Sequence, residues 1–99
     1  MKKVGSIYIM TNKHHTTLYV GVTADLIRRV HEHKSIVKES SFTLRYNLTK
    51  LVYYEIFHSI EEAIQREKQL KAGNRQRKLD LINSLNPEWK DLWEDIQEW

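Results

Sequence analysis

Apolar and polar positions alternate from Gly5 to Met10, with Ile7 and Ile9 on one side and Tyr8 and Met10 on the other. The same period of two returns over residues 17–22, where Leu18, Val20 and Val22 oppose Tyr19 and Gly21. Successive side chains of a strand point to opposite faces, so each run predicts a strand. Asn12-Lys13-His14-His15 between them predicts a hairpin turn. With the turn at Lys13-His14, Tyr8 stands directly opposite Tyr19; a slip of one residue breaks that pairing, and the sequence does not fix the register.

The period then changes. Leu26, Ile27 and Val30 form the apolar stripe of a helix that Thr23 can cap and that fades near Lys34, with Asp25 in its first turn. Residues 35–50 are mixed and polar, with a loop centred on Ser40-Ser41. Residues 51–57, Leu-Val-Tyr-Tyr-Glu-Ile-Phe, are apolar on both faces and predict a strand covered on both sides. Ser59-Ile60-Glu61-Glu62 is a capping box that opens a second helix, and Gly73 closes it. A third helix is expected from Arg75 to Leu85. A fourth, capped by Asn86 with Pro87 in its first position, is expected over about 87–96, with Trp89, Leu92, Trp93 and Ile96 on its apolar side. The expected fold class is α+β, a small and mainly antiparallel three-stranded sheet flanked by helices. Residues 1–99 are read as one domain with its core over about 6–85.

Charge adds an asymmetry that the elements do not. Residues 1–78 carry a net +8 and residues 79–99 a net −5. A basic body with an acidic tail suits a polyanionic partner approaching from one side. Lys34, Arg45, Lys50, Lys71, Arg75, Arg77 and Lys78 are the candidate contacts to a nucleic-acid backbone. The chain has no cysteine, which excludes disulfides and thiolate metal sites and fits a reducing compartment. Neither a signal peptide nor an apolar run near the roughly 20 residues of a membrane span is visible. The expected location is cytoplasmic, with no membrane partner.

Candidate chemistry starts from one anomaly. Ile60, Ala63, Ile64 and Leu70 are expected to face inward on the second helix, and Glu67 falls in the middle of that stripe. A carboxylate aimed at a core needs a partner, a proton or a metal ion. A buried salt bridge and a metal ligand both meet that need. Arg29 and His33 lie four apart on the first helix, on one flank of its stripe. An arginine fork suits a phosphate, and a histidine can relay a proton. Tyr8 and Tyr19 are ordinary strand residues by composition, but phenols in a polar pocket can orient an attacking water. No Ser/His/Asp set, Gly-rich phosphate loop or zinc spacing is present.

Taken together these residues resemble the GIY-YIG nuclease superfamily, in its small stand-alone bacterial branch. The resemblance rests on Ser6-Ile7-Tyr8, Tyr19-Val20-Gly21, Arg29, His33 and Glu67 in order. The two tyrosines are 11 apart, the glycine and arginine 8, and the arginine and histidine 4. The stretches Tyr-Val-Gly-Val-Thr-Ala-Asp-Leu-Ile-Arg-Arg and Ala-Ile-Gln-Arg-Glu-Lys-Gln-Leu-Lys extend the likeness over about residues 6–95. It departs in two places. Ser6 stands where the family name has glycine, and Leu79 stands 12 after Glu67, where many members carry an asparagine.

The resemblance implies a metal-dependent endonuclease that hydrolyses phosphodiester bonds in DNA, including structured or branched DNA. It implies that Tyr8 and Tyr19 line the site and that one of them helps activate the nucleophile, that Arg29 stabilises phosphate charge, that His33 moves a proton or positions the phosphate, and that Glu67 binds one Mg²⁺ or Mn²⁺. With one inward carboxylate, a one-metal mechanism is expected and no small-molecule cofactor. A nucleic-acid-binding module of the same fold with little or no cleavage is the alternative, since fold alone does not establish activity. A third reading makes Trp89, Trp93 and Trp99 a contact face for another protein.

Overall fold

The computed structural model describes residues 4–35 and 47–99. Arg45 and the Ser40-Ser41 loop lie outside the described residues. Three strands form one antiparallel sheet: β1 (Gly5–Thr11), β2 (Leu18–Thr23) and β3 (Lys50–Phe57), in the order β2-β1-β3. Among the described residues the helices are α1 (Leu26–Lys34), α2 (Ile60–Ala72), α3 (Arg75–Leu85) and the single turn α4 (Trp93–Ile96). The α+β expectation holds.

The sheet separates two cores. Ile7, Ile9 and Val20 face α2 and α3, where Ala63, Leu70 and Ile82 close one core. Tyr8, Met10 and Leu51 face α1 and the C-terminal segment, where Leu26, Val30, Leu92 and Ile96 close the other. The strand buried along its whole length is β1, in the centre. β3 lies at an edge yet contributes to both cores. A bulge between Ile9 and Met10 turns both Val52 and Tyr53 towards the α2 side, while Leu51 and Tyr54 serve the other.

Four local expectations are corrected. The strand register pairs Tyr8 with Gly21 and Tyr19 with Met10, so the tyrosines are diagonal neighbours on one face rather than directly opposed. A six-residue loop replaces the tight turn, because Asn12 Oδ1 accepts bonds from the Thr16 and Thr17 amides at 2.8 and 3.1 Å. The α1 cap is Asp25, whose carboxylate accepts from Arg28 N at 3.2 Å; Thr23 instead supports Asp25, accepting its amide at 3.0 Å. On α2, Ile64 is exposed, so the buried stripe is narrower than expected.

A fifth correction is the largest. No helix starts at Asn86. Its side chain donates to the Val52 and Lys90 carbonyls at 3.2 and 2.8 Å and accepts the Lys90 amide at 3.0 Å. These bonds hold residues 86–90 as a closed turn and leave only Trp93–Ile96 helical. The tryptophans consequently share no face: Trp89 packs with the α2/α3 core, Trp93 with the α1 core, and Trp99 lies exposed against Tyr54. The capping box does form, with Ser59 Oγ accepting from Glu62 N at 3.2 Å. Gly73 ends α2 with an extended φ of −79°, and Asn74 caps α3 at once by accepting from Arg77 N at 2.9 Å.

Candidate active site

The tyrosine of each strand motif sets the site. Strand alternation sends Tyr8 and Tyr19 to the α1 face, and the helical turn between Arg29 and His33 sends both towards the same place. Three rings meet there. The Tyr8 and Tyr19 centroids are 6.2 Å apart, and His33 lies 5.5 Å from Tyr8 and 5.4 Å from Tyr19. The Tyr8 hydroxyl and His33 Nε2 share a hydrogen bond of 3.1 Å in the protein interior.

Gly21 makes that arrangement possible. A β-carbon at Gly21 would stand 2.3 Å from the Tyr8 ring and 2.4 Å from its hydroxyl. The tyrosine of one motif therefore occupies the space that the glycine of the other leaves free.

Burial governs the protonation of both partners. It pushes the Tyr8 phenol well above its ordinary value, with the nearby Tyr19 adding to the rise and Arg29 opposing it. Burial, and then the Arg29 charge, hold His33 down at about 4. At neutral pH the pair is a protonated phenol beside a neutral imidazole.

Arg29 is half-exposed, with Nε 3.4 Å from Glu32; the same carboxylate takes Arg28 at 3.2 Å. Both arginines border an open depression of about 390 Å³ lined also by Thr23, Ala24, Asp25 and Glu32. Glu32 was not among the sequence candidates. The signal for it was present, since it stands three and four residues after the two arginines.

Glu67 comes from the other layer, on α2, which packs chiefly on β1 and β2. It lies between Ala63 and Leu70 on the buried stripe, its side chain 17% exposed, with Lys71 Nζ 3.1 Å from Oε2. Tyr8, Tyr19, His33 and Arg29 are thus brought together on one face, while the described contact of Glu67 is to Lys71. Among the described residues no group of three His, Cys, Asp or Glu side chains is poised around one point.

The basic candidates are dispersed. Lys34 is tied to Asp91 and to the Thr49 carbonyl, and Lys78 to the Gly73 carbonyl at 3.2 Å. Lys50 meets His15 Nε2 at 2.9 Å, Arg75 donates to the His15 carbonyl at 3.3 Å, and Arg77 borders an open surface beside Gly73 and Asp80. Of the asparagines near the family spacing, Asn74 caps α3 and Asn83 accepts from the Trp89 indole at 2.7 Å.

The family model described as the GIY-YIG catalytic domain matches residues 4–80. The chain belongs to the GIY-YIG family. A UPF0213 protein of Syntrophus aciditrophicus is 38% identical over 72 residues, covering 73% of this chain and 82% of the relative. A UPF0213 protein of Streptococcus agalactiae is 39% identical over 66 residues, covering 67% and 74%. The solution structure of a UPF0213 protein from Bacillus halodurans superposes with a TM-score of 0.56 at 29% identity, covering 88% of this chain and 90% of that one. These are small GIY-YIG relatives of the stand-alone kind. No helix among the described residues is long and apolar enough to cross a membrane.

Proposed function

We propose that this GIY-YIG chain is an endonuclease that hydrolyses phosphodiester bonds in DNA with the help of one divalent ion, Mg²⁺ or Mn²⁺. The observation that carries this reading is the buried Tyr8–His33 hydrogen bond, 3.1 Å long, set beside Tyr19 and the half-exposed Arg29 at the rim of an open depression.

Glu67 fits a divalent ion as a single carboxylate ligand. Its counter-charge, Lys71, is half-exposed and readily displaced, and one carboxylate leaves the ion most of its waters, as Mg²⁺ prefers. When bound, the ion supplies positive charge against the oxygen that leaves phosphorus.

The remaining work falls to side chains. Arg29 presents its guanidinium to the non-bridging oxygens as charge grows on them. The raised phenol of Tyr8 is protonated at rest, so it acts as a relay rather than as a standing base. As a water oxygen bonds to phosphorus, its proton passes to the Tyr8 oxygen and the Tyr8 proton passes to Nε2 of neutral His33. The bond to the leaving oxygen breaks on the far side. A phosphate at Arg29 offsets the charge that depresses His33, which strengthens the acceptor when substrate is bound. Tyr19 packs against both rings and positions the water.

The test is cleavage of supercoiled plasmid and of branched DNA with Mg²⁺ or Mn²⁺, wild type against Glu67→Ala. Metal-dependent cutting that disappears in the variant is the expected result. Retained binding without cutting by either protein replaces this reading with a non-cleaving nucleic-acid module. Equal cutting by both removes Glu67 from the site.

A further inference from the structure

The far end of the β1–β2 hairpin gathers four segments that the site above does not use. The His15 ring from the hairpin loop stacks on Trp89 from the 86–90 turn, centroids 4.6 Å apart and planes 29° from parallel. The Trp89 indole is fixed by its bond to Asn83. Lys50, at the start of β3, holds His15 Nε2, and Arg75, at the start of α3, holds the His15 carbonyl. Because Nε2 accepts from an ammonium, the His15 ring is neutral.

Two further observations set this cluster apart. His15 and Trp89 both adopt left-handed backbone conformations, with φ of 59° and 55°. Histidine adopts this conformation more readily than most residues, but for a residue as bulky as Trp89 it is an outlier, and strained positions concentrate at binding sites. The ion pairs among the described residues include neither Lys50 nor Arg75, so both cations remain without a carboxylate. An aromatic platform flanked by uncompensated cations is what an unpaired nucleotide requires: a ring to stack on and charge for its phosphate. A duplex keeps its bases stacked on one another and cannot use the platform.

We infer that the His15–Trp89 stack, with Lys50 and Arg75, seats an unpaired nucleotide of the DNA strand held at the candidate active site. The inference rests on the nucleic-acid reading above and adds a preference for substrates with single-stranded character. Tyr19 follows His15 by four residues, a reach of at most about 14 Å along the chain. The two places lie on opposite sides of the sheet, Trp89 packed with the α2/α3 core and Tyr19 with the α1 core, so a strand that occupies both passes around the hairpin end.

The experiment measures fluorescence anisotropy of labelled oligothymidylate and of a blunt duplex, with no divalent ion, on a Glu67→Ala protein. His15→Asn is the informative variant, because asparagine tolerates the left-handed backbone while removing the ring. It is expected to weaken oligothymidylate binding by roughly fivefold to a hundredfold, the range for losing one base–aromatic stack, and to leave duplex binding nearly unchanged. Lys50→Gln weakens both and lowers the slope of log affinity against log salt by about 1. A His15→Asn protein that binds oligothymidylate as well as its parent, or loses both ligands equally, overturns the inference even where wild type cuts plasmid. A parent protein that binds neither ligand overturns it as well, and takes the preceding reading with it if plasmid cutting is also absent.

Discussion

The Tyr8 ring lies over Gly21, so close that a β-carbon at Gly21 would stand 2.4 Å from its hydroxyl oxygen. The two strand motifs of this family are therefore halves of one packing unit, in which the glycine is the floor on which the tyrosine rests. Gly21→Ala forces Tyr8 off His33. The expected cost is about 1–3 kcal/mol of overpacking, with loss of cleavage. Urea denaturation of the single variant and of Gly21→Ala in a Tyr8→Ala background checks the cause. The penalty shrinks in the double variant because the clashing ring has gone.

His33 makes stability depend on pH in a defined direction. Its folded value of about 4 lies below its ordinary 6.5, so the unfolded chain binds more protons between those limits. The contribution of neutral His33 is fully present above pH 6.5 and is lost as pH falls towards 4. The melting temperature is expected to drop over that window, and less so in His33→Gln. Thermal scans of both proteins read the difference, and parallel curves would mean that other groups carry the acid sensitivity.

Local signals account for what was legible in the sequence. Periods of two and 3.6 placed the strands and α1 to α3, and the Ser59–Glu62 box acts within its own helix. Tyr8, Tyr19, Arg29 and His33 were found through motif order, and strand alternation brings the tyrosines to one face whichever even shift of register applies. The features that escaped depend on partners distant in the chain. Asn86 reads as a helix start until its bond to the Val52 carbonyl, 34 residues earlier, makes it the staple of a turn. The tie between Lys34 and Asp91, 57 residues later, is equally invisible in the local pattern. The register of the hairpin escaped for a different reason: Asn12 folds a wider loop through its own side chain.

Arg66 and Glu55 predict how firmly α2 is held. The guanidinium donates from Nε and Nη2 to both carboxylate oxygens at 3.0 Å, and the Tyr53 hydroxyl donates to the same carboxylate. Burial and this bond to Glu55 push the Tyr53 phenol up to about 12. Both charged side chains are about three-quarters covered. Glu55→Ala is expected to cost about 1–3 kcal/mol, since it strands a part-buried arginine next to the sheet. Because Glu67 adjoins Arg66, Glu55→Gln should raise the divalent-ion concentration needed for half-maximal cleavage more than it lowers the maximal rate. Metal titration of wild type and variant separates that positioning effect from a general loss of fold.

Asp91 fastens the C-terminal segment to the rest of the chain. One carboxylate oxygen accepts the Leu51 and Trp93 amides at 3.2 and 3.1 Å, the other takes the Lys34 ammonium, and Leu92 N donates to the Leu51 carbonyl at 2.8 Å beside them. The clasp thus joins the end of α1, the start of β3 and the start of α4, and it sets Leu92 and Ile96 into the core beneath Tyr8. Asp91→Ala leaves the Leu51 and Trp93 amides without their acceptor and Lys34 with only the Thr49 carbonyl, for an expected cost of about 1–3 kcal/mol. Asp91→Asn keeps an acceptor for the amides but removes the charge facing Lys34, so its cost should be smaller by about half. Hydrogen exchange locates the damage. Faster exchange is expected at Leu51, Leu92 and Trp93, while amides of α2 and α3, on the opposite face of the sheet, keep their protection. Exchange that rises evenly across the sheet and all helices would instead mean that the clasp supports the whole fold rather than the segment it fastens.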